Sequence, residues 1–269
     1  MEGPLMSVAS RSSHRSVRLI EMCATYTLVV VTIWCSWLIF GLLNRTVRFG
    51  RRLRLKPKLL IVSNHQSLVD SFLVGWVLGT PTMFFRPSLI PYHLADARNF
   101  MSHPVLKHVY RALRVIPVGR AASGERQDHG ALLTAVRVLQ DGGVVHAFIE
   151  GTRSPNGTLQ PPKKQVGALA MLSGAAVRLV YIDGMHHVQP YRKAPGDGPP
   201  TWMRRLFGAK TEWLLDMRTG QRIRVVVGDD MTPDEIATIS GTSGTRHEQA
   251  QRVSDAIIER LEFLSRINN

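Results

Sequence analysis

Residues 22–43, MCATYTLVVVTIWCSWLIFGLL, form an apolar run without one formal charge. At about 1.5 Å per residue a helix of this length spans roughly 33 Å, enough for a hydrocarbon core of about 30 Å. Arg11, Arg15 and Arg18 precede the run, and seven basic residues, Arg45 to Lys58, follow it. This asymmetry predicts that the C-terminal bulk lies on the cytoplasmic side of a membrane. A cleaved signal peptide fits poorly, because the run is too long and a cluster of arginines follows it. A transmembrane helix, a helix lying in the membrane interface and a buried core helix all remain compatible with the run.

The charge follows the same layout. Lys plus Arg is 34 and Asp plus Glu is 20, a net charge of +14 over 269 residues. The excess calls for an anionic partner, such as membrane phospholipid. Nucleic acid is not expected, since the charge clusters around the apolar run and no interleaved aromatic-basic motif is present. The two cysteines, Cys23 and Cys35, both sit inside the run. A disulfide scaffold, a zinc ribbon and a cysteine nucleophile are therefore excluded as organising features. His93, His103, His108, His186 and His187 show no metal-ligand spacing with acids or cysteines, and no metal or cofactor is expected.

The expected organisation is a basic N-terminal segment (1–21), an anchor helix (22–43), a basic juxtamembrane linker (44–58) and one folded domain (59–269). In that domain, apolar runs at 59–62, 82–85, 115–118, 144–149, 177–182 and 222–227 read as strands. They alternate with helical patterns at 68–78, 104–113, 125–140, 163–173, 233–239 and 247–266. Thr232, Pro233 and Glu235 are a helix-start signature, and Gly142-Gly143 a helix stop. Residues 190–208, rich in Pro, Gly and Arg, read as a long loop. The alternation predicts an α/β fold with a mainly parallel or mixed sheet flanked by helices.

Two stretches carry chemistry. The first is Asn64-His65-Gln66-Ser67-Leu68-Val69-Asp70. On one regular helix, residues five apart sit about 140° from each other and do not meet. They meet if His65 lies in the turn before the helix and Asp70 points back from its first turn. Asp70 then fixes one imidazole nitrogen and frees the other to take a proton. Ser67-x-x-Asp70 is equally an ordinary capping box. The second stretch is Glu150-Gly151-Thr152-Arg153-Ser154-Pro155-Asn156-Gly157. It offers hydroxyls, backbone amides and a guanidinium suited to phosphate, but its Pro-Asn-Gly also describes a plain turn.

Together the two stretches resemble the glycerolipid acyltransferase family, the bacterial lysophosphatidate acyltransferases most of all. That family carries Asn-His-x-x-x-x-Asp and, later in its domain, Glu-Gly-Thr-Arg-Ser. Ile116-Pro117-Val118-Gly119-Arg120 resembles a third family segment. Arg86, in Phe84-Phe85-Arg86-Pro87, stands where members carry a lysine that helps bind the acceptor phosphate. Val177–Ile182 occupies the place of a Val-Pro-Val strand on the acyl-donor side, with Leu179 in the position of the proline. The resemblance covers about residues 59–185.

The resemblance implies an acyltransferase domain over 59–269. It implies transfer from acyl-CoA or acyl-ACP to the free hydroxyl of lysophosphatidic acid, giving phosphatidic acid. His65 is then the general base and Asp70 its orienting partner. Arg153, with Arg120 and Arg86 after it, is expected to hold the acceptor phosphate, helped by Gly151, Thr152 and Ser154. Glu150 either orients Arg153 or accepts from the acceptor. A thioester is already activated, so the chemistry needs neither a metal nor an acyl-enzyme. Phe72, Leu73, Trp76 and Val77 either line an acyl groove or are ordinary core. The rival readings are the same chemistry on another lysolipid or glycolipid, a non-enzymatic module binding anionic lipid, and a catalytically dead scaffold.

Overall fold

The central strand of the sheet is the stretch LLIVS, Leu59–Ser63, every residue of which is buried. An unbroken apolar strand of this kind belongs in the middle of a parallel sheet covered on both faces. The computed structural model describes residues 22–50, 54–97, 106–119, 129–190 and 217–267. In chain order the main elements are α1 (Met22–Leu43), β1 (Arg45–Gly50), β2 (Leu59–Ser63) and α2 (Asp70–Gly79). Next come β3 (Tyr92–Asp96), α3 (Leu106–Ala112), β4 (Val115–Val118), α4 (His129–Gln140) and β5 (Val144–Phe148). Then follow α5 (Lys164–Ser173), β6 (Ala176–Asp183), β7 (Arg222–Met231), α6 (Pro233–Ser240) and α7 (Arg246–Ser265).

The seven strands lie in the order β1-β7-β6-β2-β5-β3-β4. Only the β6–β7 pair is antiparallel among the described residues; every other neighbouring pair is parallel. This is the mixed, helix-flanked α/β sheet that the alternation implied. Alternate side chains feed two cores. Leu60, Val62, Val145, Ala147, Val177 and Leu179 join the core under α4 to α7, whereas Leu59, Ile61, Val144, Val180 and Ile182 join the core beneath α1 and α2. On the first side Gly167 lets α7 dock on α5. A Cβ there would sit 2.0 Å from the Ala250 carbonyl oxygen, and Ser254 Oγ accepts from the Gly167 amide at 3.0 Å.

On the other side α1 packs one face against the domain. Val29, Ile33, Ser36 and Phe40 form one buried stripe, and the Phe40 ring lies 6.5 Å from that of Trp76 on α2. The last turns of α1, Trp37–Leu43, are wider π-type turns. Their carbonyls are taken up by side chains: Asn44 Nδ2 donates to Ile39 O and Thr46 Oγ1 to Phe40 O. The opposite face of α1 stays open, with Val31, Trp34, Leu38 and Leu42 exposed. Leu73 belongs to the same core, with Phe72, Trp76 and Val77 partly buried at its margin. These four residues pack with α1 in this core.

Two expectations are corrected. Residues 82–85 form a short helix, not a strand: Phe84 N donates to Pro81 O and Arg86 N to Thr82 O, and Met83 fills the space over Gly79. The strand comes later, at Tyr92–Asp96. Residues 45–50, expected in a linker, are the edge strand β1, because the long strand β7 offers them a partner in register from Arg45↔Arg222 to Gly50↔Val227. The described parts of two helices are Leu106–Ala112 and His129–Gln140, and residues 191–208 of the long loop lie outside the described residues. The capping box of Thr232 and Glu235 forms as expected.

Candidate active site

The carboxyl ends of β2, β5 and β6 meet at one edge of the sheet, where parallel α/β folds bind ligands. The turn leaving β2 is stitched to its neighbours residue by residue. Asn64 is buried, and its amide imitates a strand residue: Nδ2 donates to Ile182 O and Oδ1 accepts from Ile182 N, both at 2.7 Å. Gln66, also buried, donates from Nε2 to Gly157 O at 2.8 Å and accepts at Oε1 from Met185 N at 3.0 Å. Between them the chain presents His65, whose side chain is 16% exposed.

Asp70 opens α2 and points back at this turn. His65 Nδ1 lies 3.0 Å from Asp70 Oδ2. The same oxygen accepts from Gln66 N at 2.6 Å and Ser67 N at 2.8 Å, and Oδ1 accepts from the Ser67 hydroxyl. One fully buried carboxylate thus caps the turn and orients the imidazole, so the two readings of the spacing are one arrangement. With Nδ1–H directed at Asp70, Nε2 carries the free lone pair of the ring.

The second stretch leaves β5 and wraps the first. Glu150 is 1% exposed. Its Oε1 accepts from His65 N at 2.9 Å and its Oε2 from Gln160 N at 3.3 Å. Burial raises its pKa to about 7, a shift that these two amide hydrogen bonds moderate and the nearby Asp70 charge reinforces. Ser154 N donates to His65 O at 2.7 Å. Arg153, half-buried, sits between these two anchored residues, while Gly151 and Thr152 are exposed. Gly157 has φ +82° and abuts the His186 ring, where a Cβ would lie 2.5 Å from Nδ1. Only glycine fits that turn.

Under His65 lies an aromatic floor that the linear motifs do not display. The Phe148 ring stacks on the His65 ring, centroids 3.7 Å apart and 13° from parallel. His146 packs edge-on against Phe148 at 4.7 Å and shares a 2.9 Å hydrogen bond with Ser63 Oγ through Nε2. Because Ser63 Oγ also donates to Asn64 O, His146 donates through Nε2. Burial depresses the pKa of His146, and the neighbouring His93 and His65 add to the effect. His93, edge-on to His146, is lowered to about 4 by burial. Asn64 and Gln66 lay inside the first motif, but only the fold shows what their amides hold. Ser63 and His146 carried no signal in sequence.

The structure therefore brings His65, Asp70, Glu150, Gly151, Thr152, Arg153 and Ser154 to one edge of the sheet. Arg120 lies outside the described residues. Arg86 is elsewhere: it shares a cavity with Met22 and Pro57, just before the start of β2. His65 follows the far end of that strand, about 20 Å away at ~3.3 Å per residue. The spacing misled because α2 carries the chain back down the sheet before Arg86. Among the described residues no three His, Cys, Asp or Glu side chains cluster as metal ligands.

The fold and the two interlocked motifs define an acyl-transferring class of protein. The acyltransferase family profile matches residues 44–183, over half of the chain, and the chain belongs to that family. Among solved structures it is similar to the 1-acyl-sn-glycerophosphate (LPA) acyltransferase PlsC from Thermotoga maritima. The two share 20% identity with a TM-score of 0.55, over 95% of this chain and 99% of that one. At this identity the likeness is one of fold. In a search of curated proteins nothing matches.

Proposed function

We propose that the protein is a membrane-bound O-acyltransferase that moves a fatty acyl group from acyl-CoA or acyl-ACP to the free hydroxyl of lysophosphatidic acid. The observation that carries this reading is the 3.0 Å contact of His65 Nδ1 with Asp70 Oδ2, which leaves Nε2 to accept a proton. An alcohol is a weak nucleophile, and a positioned base that removes its proton during attack accelerates such a step about 10²- to 10⁴-fold. His65 Nε2 takes the hydroxyl proton as the oxygen attacks the thioester carbonyl. The C–S bond breaks, the thiolate leaves, and His65 returns the proton to it. The products are an ester and a thiol. Asp70 holds the ring in the required tautomer and stabilises the transient imidazolium. Arg153 supplies fixed positive charge for the acceptor phosphate.

The membrane reading rests on α1, which is long and apolar enough to cross a bilayer. Its buried stripe along the domain favours a helix lying with one face in the leaflet over a free-standing span. The basic residues after the run favour a catalytic domain on the cytoplasmic side. An acceptor drawn from the leaflet then meets a donor arriving from the aqueous side.

The test is transfer of a labelled acyl group to lysophosphatidate in membranes bearing wild type or His65→Ala. Parallel arms supply acyl-CoA or acyl-ACP, and other lysolipids as acceptors. The reading predicts transfer by wild type and a loss of at least about 10²-fold in the variant. Equal activity of the two would remove His65 from its role. Transfer confined to a different lysolipid would move the acceptor and leave the base in place.

A further inference from the structure

At the foot of α1 the chain displays an aromatic ring beside a cation. Phe85 is 82% exposed, the most exposed large apolar residue among those described. A core aromatic is normally hidden, and an exposed one joined to other apolar surface marks a contact site. Phe85 is not loose. Its short helix is tied down by buried Met83 and by Tyr26 of α1, whose hydroxyl donates to Phe84 O at 3.3 Å. Phe85 and Arg86 line one cavity with Met22, the first residue of α1, itself 55% exposed. Met22 stands in line with the buried stripe of α1, away from the open face where Trp34 is 61% and Leu42 65% exposed. Arg86 is exposed beside Met22.

We propose that Phe85 and Arg86 form a second membrane contact, whose partner is the surface of an anionic phospholipid bilayer. The Phe85 ring enters the boundary between headgroups and acyl chains, and the Arg86 guanidinium pairs with lipid phosphate. The occupant follows from the contact of Phe85 and Arg86 with the first turn of α1 and from the charge beside the ring. The proposal rests on reading α1 as membrane-embedded. A single amphipathic helix leaves a protein free to roll about the helix axis. A second contact on another element removes that freedom and fixes how far His65 stands from the leaflet. Arg86 thereby gains a phosphate partner, but a structural lipid rather than the acceptor.

The experiment places an environment-sensitive fluorophore at single cysteines in the full chain, with Cys23 and Cys35 replaced by serine. One label sits at Phe85→Cys and a reference label at Trp34→Cys on α1. On adding vesicles of phosphatidylcholine and phosphatidylglycerol, both labels are expected to brighten and shift to the blue. In unlabelled protein, Arg86→Glu should weaken partitioning into these vesicles about fivefold or more, with little change on phosphatidylcholine alone. A response at position 34 with silence at 85 overturns the second contact and leaves α1 as the sole anchor. Silence at both positions overturns the membrane reading of α1 as well. An Arg86→Glu loss of equal size on neutral vesicles removes the electrostatic half of the proposal. Unchanged thermal melting of each variant in detergent shows that the fold is intact.

Discussion

The backbone amide of Ser154 donates to the carbonyl of His65 at 2.7 Å, so a residue of one motif fixes the peptide of the other. The amide of His65 is held on its other side by Glu150 Oε1. The second motif therefore grips the main chain of His65 while Asp70 grips its ring.

Glu150 tests that relationship. Both of its carboxylate oxygens are engaged by backbone amides. Glu150→Ala is expected to lower kcat about tenfold or more with a smaller change in KM for the acceptor, because the base is displaced by a fraction of an ångström. Glu150→Gln keeps an acceptor for the His65 amide and should recover most of the rate. Steady-state kinetics on both variants measure the split. A pure KM effect would instead make Glu150 a substrate contact.

The same carboxyl predicts a pH dependence of stability. Its folded pKa is raised to about 7 from 4.5, chiefly by burial. The stability associated with the protonated form is fully present below pH 4.5 and is lost as pH rises through 7, by up to about 3 kcal/mol. Melting temperature measured across that interval should fall less steeply toward pH 7 in Glu150→Gln than in wild type.

His93 and His146 act in the opposite sense. Burial depresses both pKa values, that of His93 to about 4. The unfolded chain takes up protons near pH 6.5 that the folded core refuses, so stability present above pH 6.5 is lost as pH falls. His93→Phe should flatten the acid limb of the melting-temperature profile. For His146 the neutral ring also supports Phe148, and through it the stacked face of His65. His146→Leu is accordingly expected to reduce transfer as well as acid sensitivity.

A further prediction concerns the ion pair joining β6, β7 and the approach to β2. Arg178, 1% exposed, makes two hydrogen bonds to Asp230 at 2.7 and 3.0 Å and donates to Arg54 O. Lys56 adds a 2.7 Å contact to the same acid. Burial alone would raise the pKa of Asp230, but the Arg178 and Lys56 hydrogen bonds outweigh it and hold the pKa below its usual value. Asp230→Ala leaves a buried guanidinium uncompensated and should cost about 3–5 kcal/mol. Replacing both partners, as Arg178→Met with Asp230→Leu, should cost markedly less. Chemical denaturation of the three variants provides the comparison.

How far the sequence could be read depended on whether a signal was local. The apolar strands at the centre were legible because burial on both faces leaves an unbroken apolar run. β1, RTVRFG, was hidden because an edge strand rich in arginine looks like a linker. The run TMFF has strand composition, yet Pro81 and the packing of Met83 turn it into a helix. His65 and Asp70 were legible because only four residues separate them. Ser63, His146 and Phe148 were not, because register between β2 and β5, and nothing in the chain nearby, brings them under the ring.

The buried stripe of α1 has a consequence for how this protein can be handled. A tether that only holds an enzyme at a bilayer can be exchanged for any greasy helix, or cut away to leave a soluble catalyst. Here Val29, Ile33 and Phe40 close one side of the domain core itself, so the helix serves as its roof. Truncation would strip that roof, and a foreign helix would have to reproduce its shape.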